Sequence, residues 1–245
     1  MDNLNRYKSN EELKSVAKER LFGKYGTAIG AIIIVGSINL FVSNFSTVFV
    51  NMGTIYGIVL YFVISFVVSV LSGLLNSGLI YFYLKISCKQ PVVVSDIFYG
   101  FKMFPDKAVL IQMYMSAWIY AAMIPYLIFT YFVMIYPENA AISLFYYLSL
   151  LLYYVVYVAI LLVYSQAFYL LHDFPEYSVS KILSTSRKLM KGNKFRLFYF
   201  MVSFFPLLLL GLLSCGIACF WIVPYIYAAN TEFFLDLIKK NQVSD

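Results

Sequence analysis

The sequence predicts an all-α, polytopic membrane protein of six transmembrane helices, arranged as three hairpins, each preceded by a short basic amphipathic helix on the cytoplasmic side. Three observations lead there. Hydrophobic residues make up 62% of the 245 residues and charged ones 12%, with a mean hydropathy of +0.80; soluble domains are about half apolar and about a quarter charged. Six apolar runs each approach or exceed the ~20 residues that cross a bilayer core. All 18 Lys and Arg residues fall in segments on one side of the resulting bundle. Short connectors leave room for a single membrane domain over 1–245, with pseudo-repeats at 1–84, 85–171 and 172–245.

The elements follow in order. Ser9 with Glu12 three residues on is a capping box, and Leu13, Val16, Ala17 and Leu21 form one helical face, expected to lie along the membrane surface. Gly23 ends it, and span one runs from Gly26 to Phe49. Span two, Gly53 to Leu84, places Gly53, Gly57, Ser65, Ser69, Gly73 and Ser77 in a four-residue register interrupted only by Tyr61. Small side chains at that spacing make a groove for close helix approach, so these six are the expected helix-packing face. The connector Lys85 to Lys107 holds a short segment from Ser95 to Gly100. Spans three (Ala108 to Tyr136, with Pro125 expected to kink it) and four (Ala141 to Leu171) are joined by the turn Pro137-Glu138-Asn139. Span four carries Tyr146, Tyr153, Tyr157 and Tyr164 along one stripe, expected to pack within the bundle.

The stretch Tyr177 to Arg196 reads as an amphipathic helix capped by Ser178: Val179, Ile182, Leu183, Leu189 and Met190 recur at helical spacing, and Gly192 stops it. Span five, Phe195 to Leu213, contains Pro206. Span six, Ala218 to Ile238, contains Pro224. Six spans put both termini on one side. Six basic residues precede span one, four lie between spans two and three, six between four and five, and two at the end, while the opposite turns carry only Glu138. By the positive-inside rule the termini are expected to be cytoplasmic. Residues 1–20 contain no apolar core, so no cleavable signal is expected.

These residues resemble an uncharacterised family of bacterial integral membrane proteins, domain of unknown function nine-seven-five. The likeness rests on Leu13 to Gly30, on Phe98 to Lys102 (Phe-Tyr-Gly-Phe-Lys), on Ser184 to Phe198, where Ser-Arg-Lys-Leu-Met-Lys-Gly is the most specific part, and on Trp221 to Tyr227 followed by Thr231-Glu232-Phe233-Phe234. A more distant likeness is to the membrane region preceding some glycerophosphodiester phosphodiesterases; the catalytic domain that would follow is missing, so no phosphodiesterase activity is implied. The family implies a helical plasma-membrane protein and supplies no established chemistry.

Catalytic constellations do not assemble. His172, the only histidine, is expected with Asp173 as a solvated interfacial pair, since a metal site needs three or four convergent ligands. Cys88, Cys215 and Cys219 fit neither a disulfide framework nor a zinc pattern. There is no Gly-x-Ser-x-Gly elbow, and Gly23-Lys24 and Lys191-Gly192-Asn193-Lys194 lack P-loop spacing. Neither enzyme activity nor cofactor nor metal is expected.

Two sets of residues remain as candidates. Polar side chains inside spans are costly unless paired or wetted. Gln112, Gln166, Asn230, Glu232 and Asp236 therefore form a candidate polar path, with Asn39 and Asn76 also at uncertain depth; interhelical hydrogen bonds and pairing with the basic helices are the alternative. Lys181, Arg187, Lys188, Lys191, Lys194 and Arg196 form a candidate lipid- or partner-binding face. In a membrane setting the net charge of +6 points to anionic headgroups, or to a docked membrane or cytoplasmic protein, and not to nucleic acid. The expected function is an accessory, scaffold or protective factor acting through lipid or protein contacts, with a transporter or channel for a small or amphiphilic solute as the alternative.

Overall fold

The structure, a computed structural model, describes residues 7–48 and 54–243; Gly53, first of the predicted packing residues, lies outside them. Eleven α-helices occur among the described residues: α1 (Asn10–Leu21), α2 (Tyr25–Val48), α3 (Ile55–Ser87), α4 (Tyr99–Lys102), α5 (Pro105–Ile135), α6 (Ala140–Val163), α7 (Ala167–Asp173), α8 (Val179–Met190), α9 (Lys194–Val202), α10 (Phe205–Leu213) and α11 (Cys219–Val243). A 3-10 turn over Val94–Phe98 precedes α4.

Local chemistry sets the boundaries. Ser9 Oγ accepts from Glu12 N at 3.2 Å and Glu12 Oε2 from Ser9 N at 2.6 Å, the reciprocal box that begins α1. Ser178 Oγ caps α8 through Lys181 N. Asn139 Oδ1 takes the free N–H groups of Ala141 and Ile142 and starts α6 right after the Pro137 turn. Gly192, at φ +84°, lets the chain reverse between α8 and α9, a conformation costly for other residues.

Five segments are long and apolar enough to cross a membrane: Tyr25–Asn44, Val59–Ser87, Pro105–Ile135, Ala140–Asp173 and Lys194–Leu213. The sixth predicted span, α11, has the length but not the composition, because Asn230, Glu232, Asp236, Lys239 and Lys240 occupy its second half. The outward faces are compatible with a membrane-embedded protein. On α6, Leu144, Leu148, Leu151, Val155 and Val158 form an uninterrupted exposed stripe at heptad spacing, and apolar surface of that extent is not left open to water in a monomer.

The middle helix is α3, which packs against α2, α5, α7, α11 and the 3-10 turn with α4. Its small residues allow this. A Cβ on Gly73 would sit 2.5 Å from Gln112 Cβ of α5, Ser69 Oγ lies 2.8 Å from Ser116 Oγ, and Ser77 is fully buried against His172. Gly57 is buried at the other end, its N–H capped by Thr54. The closest approach is one residue off the predicted register: a Cβ on Gly78 would fall 1.8 Å from the Ile97 carbonyl oxygen, and one on Gly100 would fall 2.1 Å from that of Leu74. Gly100 therefore does not end its segment, as the sequence suggested, but sits inside α4 where two backbones touch.

Several expectations are corrected. Span four is broken at Tyr164, Ser165 and Gln166, which separate α6 from α7; the Val163 carbonyl freed there accepts Ser186 Oγ of α8 at 2.9 Å. Span five is broken at Ser203 and Phe204, with Pro206 in the first turn of α10, where its missing N–H costs least. Pro125 by contrast sits within an α5 that stays helical through it. The apolar face of α1 does not rest on lipid: Leu13, Ala17 and Leu21 are fully buried in the core shared with α11 and α3. The same holds for α8, whose Ile182, Leu183, Leu189 and Met190 are covered by the bundle.

Candidate functional site

Among the cavities bordered by the described residues, two share one side chain, Tyr227 of α11. The larger, about 540 Å³, lies between α2, α3, α5 and α11. Asn39, Asn76 and Gln112, read from sequence as scattered polar groups, converge on it together with Ser65, Ser69 and Ser72 of α3. Its lining holds amides, hydroxyls and the phenols of Tyr61, Tyr120 and Tyr227, and no charged side chain. Gln112 is partly tied down by a long contact of 3.4 Å from Nε2 to Ser116 Oγ. Ser65 and Ser69 were legible only as small packing residues and Ser72 not at all; their role as lining depends on the helix rotation that only the assembled bundle reveals.

The second cavity, about 340 Å³, lies where α6 breaks, between α6, α7, α9 and α11. Gln166 and Asn230 meet here, among Ile80, Leu161, Leu162, Leu197 and Met201. Gln166 is 2% exposed; its Nε2 donates to Ser165 Oγ at 2.8 Å, while its Oε1 is buried with no partner among the described residues.

Glu232 and Asp236 reach neither cavity. They face α1 and α9, as partners of basic groups. Arg196 donates to Asp236 Oδ2 at 2.5 Å, bonds to the Lys8 carbonyl, and lies over the rings of Tyr7 and Phe233 at 4.3 and 4.5 Å. Arg20 approaches Glu232 more loosely, at 4.0 Å, and Arg20 Nε and Nη1, Glu232 Oε1 and Ser87 Oγ are buried without hydrogen-bond partners among the described residues. The predicted polar path is thus divided into three places.

The basic face separates in the same way. Arg196 is consumed by its ion pair. Arg187 donates to the Tyr164 hydroxyl at 2.9 Å, and Lys181 sits 3.6 Å from the centre of the Tyr177 ring. Lys188, Lys191 and Lys194 remain exposed around Gly192. Cations that the sequence could not distinguish from these cap backbone carbonyls instead: Lys14 Nζ to Ser203 at 2.8 Å, Lys24 Nζ to Gln90 at 3.0 Å, and Lys107 Nζ to Pro175 and Tyr177 at 2.6 and 3.0 Å. Burial lowers the pKa of Lys14, Glu11 partly opposing the shift.

His172 is not the solvated partner of Asp173. Its ring is half-buried beside Tyr81 and Tyr99, and Nε2 donates to the Ser77 carbonyl at 2.8 Å, so the proton resides on that nitrogen. Asp173 is exposed. Among the described residues no group of three His, Cys, Asp or Glu side chains could hold a metal ion, and the three cysteines are free thiols. Of the tyrosine stripe, Tyr146 packs against Tyr126 and Tyr164, just past α6, against Tyr114 of α5, whereas Tyr157 is exposed.

No curated protein and no solved structure matches the chain. The distant phosphodiesterase likeness therefore has no support from these comparisons. One family model does match, over residues 1–241, so nearly the whole chain is accounted for by it. The chain belongs to the family described as protein of unknown function (DUF975).

Proposed function

We propose that this is a non-enzymatic protein of the bacterial plasma membrane, crossing six times with both termini in the cytoplasm, and acting as an accessory, scaffold or protective factor through anionic lipid or a protein partner held on its basic face. The path of α11 supports the sixth crossing. Five apolar segments leave the end of α10 on the side opposite α1, yet the second half of α11 meets α1 and α9 through Arg20 with Glu232, and Lys8 and Arg196 with Asp236. Its 25 residues span about 37 Å as a helix, enough to make that return.

The observation that carries the reading is the exposure of Lys188, Lys191 and Lys194 while their neighbours Lys181, Arg187 and Arg196 are engaged by the protein itself. Each exposed cation contributes about 1 kcal/mol against an anionic surface, so replacing all three with Gln should weaken retention of phosphatidylglycerol by roughly a hundredfold. Native mass spectrometry of protein extracted from membranes measures this. Equal retention of anionic lipid, and no lost protein partner, in the triple variant would remove the basis of the proposal.

The uncharged lining of the larger cavity favours a second reading, passage of a small neutral polar solute between α2, α3 and α5. Gln112→Leu should then abolish solute flux into liposomes, and flux unchanged by it would exclude this route.

A further inference from the structure

At the break between α6 and α7, non-helical backbone, an open cavity and an unsatisfied buried polar atom coincide. Irregular backbone at membrane depth persists only where it is enclosed by protein or borders a cavity, because lipid offers no hydrogen bonds. Here both conditions hold. The freed carbonyl of Val163 accepts from Ser186 Oγ, and Ser165 Oγ donates to the Leu162 carbonyl, so hydroxyls cap two carbonyls of the break. The amide side chains are not so fully paired. Gln166 Oε1 is a buried acceptor without a donor, and Asn230 Nδ2 reaches the sulfur of Met201 at 3.8 Å, a weak contact for an amide. A buried acceptor left unmade costs about 1–3 kcal/mol, and a native structure retains such a group where something else completes it.

The surroundings define what would complete it. No charged side chain lines the cavity, so an ionised head would enter unpaired and at high cost. Apart from Gln166, Asn230 and neighbouring hydroxyls the walls are hydrocarbon and aromatic. Toward lipid, between α6 and α9, the mouth is formed by Val158, Leu161 and Phe198, all three exposed on the surface that contacts acyl chains. A volume of about 340 Å³ lies at the small end of the range for ligand pockets. That is room for a compact head and the first part of a chain whose remainder would stay in the bilayer.

We propose that this cavity is a lateral binding site for an uncharged amphiphile with a hydroxyl head, of the diacylglycerol class, whose O–H donates to Gln166 Oε1 while its chains leave between α6 and α9. This site is independent of the basic face and would stand if the scaffold reading fell.

The test uses the full-length protein in liposomes of phosphatidylethanolamine and phosphatidylglycerol doped with a diazirine-bearing diacylglycerol, with a diazirine-bearing phosphatidate as the anionic comparison. The diacylglycerol probe should mark residues 158–166 and 197–201, be displaced by unlabelled diacylglycerol, and show enrichment over the phosphatidate probe. Gln166→Leu should lower that labelling by about fivefold, the effect of one lost hydrogen bond. Leu161→Trp, at a lipid-facing position that tolerates a larger side chain, should obstruct the mouth and do the same. Helical content and thermal stability in detergent establish that each variant is folded; if Gln166→Leu fails to fold, Leu161→Trp decides. Equal marking by both probes, marking spread along the Leu144 to Val155 stripe, labelling unchanged in the folded variants, or no labelling, as expected of a cavity holding water alone, would each overturn the assignment.

Discussion

Gly78 and Arg196 show how far single residues constrain this bundle. The Gly78 position faces the Ile97 carbonyl so closely that a methyl group cannot be placed without moving α3 away from the 3-10 turn. Gly78→Ala should therefore cost at least about 3 kcal/mol, whereas Gly26→Ala, with nothing within 4 Å of its added methyl, should be near neutral. Thermal unfolding in detergent distinguishes the two. Arg196→Ala leaves the Asp236 carboxylate, whose side chain is 9% exposed, without its partner, and should destabilise by about 3 kcal/mol. Asp236→Asn combined with Arg196→Ala should recover part of that loss in the same measurement. The small-residue face of α3 was legible because its four-residue spacing is a property of one helix. Its tightest point was not, because the Ile97 carbonyl that meets Gly78 is placed by how a separate segment folds back. Arg196 looked like the other basic residues for the same reason: the carboxylate that claims it lies 40 positions away.

At the scale of elements, α1 and α8 begin at the caps expected of them, Ser9 and Ser178, but their apolar faces are covered by protein and not by lipid, and the middle basic segment is a 3-10 turn and a single turn of helix in place of a third such helix. Periodicity states that Leu13, Ala17 and Leu21 must be removed from water; it does not say whether lipid or protein removes them. The α1 helix is held by α11 and α3, and its Lys14 reaches into the break between α9 and α10, where Nζ donates to the Ser203 carbonyl and lies 4.3 Å from the centre of the Phe204 ring. Lys14→Met keeps most of the stem volume and removes the donor, so it should destabilise by about 1–2 kcal/mol, the price of an unpartnered carbonyl partly relieved by water. Hydrogen exchange should show the loss as faster exchange in 199–208 and not in α5. Uniform acceleration across all helices would mean that Lys14 supports the fold generally and not this break. Neither helix break was visible beforehand: Tyr164, Ser165 and Gln166 are followed at once by the apolar Ala167 to Leu171, and Ser203 and Phe204 lie inside an apolar run, so each segment reads as one span. The polar groups that make the breaks tolerable belong to α1 and α8, far off in the chain.

For the whole molecule, composition and the segregation of cations carry the argument, and they concern the sum of the chain and not any one contact. Five crossing segments follow from hydropathy alone. The proposed sixth rests on the meeting of α11 with α1, which Glu232 and Asp236 hold together while the same charged second half of α11 lowers its apolarity. Two native thiols report directly on this arrangement. Cys88 follows α3 and Cys215 follows α10, both are exposed, and the six-crossing path puts them on opposite faces of the membrane. With Cys219 replaced by Ser, and Cys88→Ser or Cys215→Ser added one at a time, a membrane-impermeant maleimide applied to intact cells should label Cys215, and should label Cys88 only after the membrane is permeabilised. Labelling of Cys88 in intact cells, or a Cys215 that waits for permeabilisation, would contradict the proposed threading of the chain.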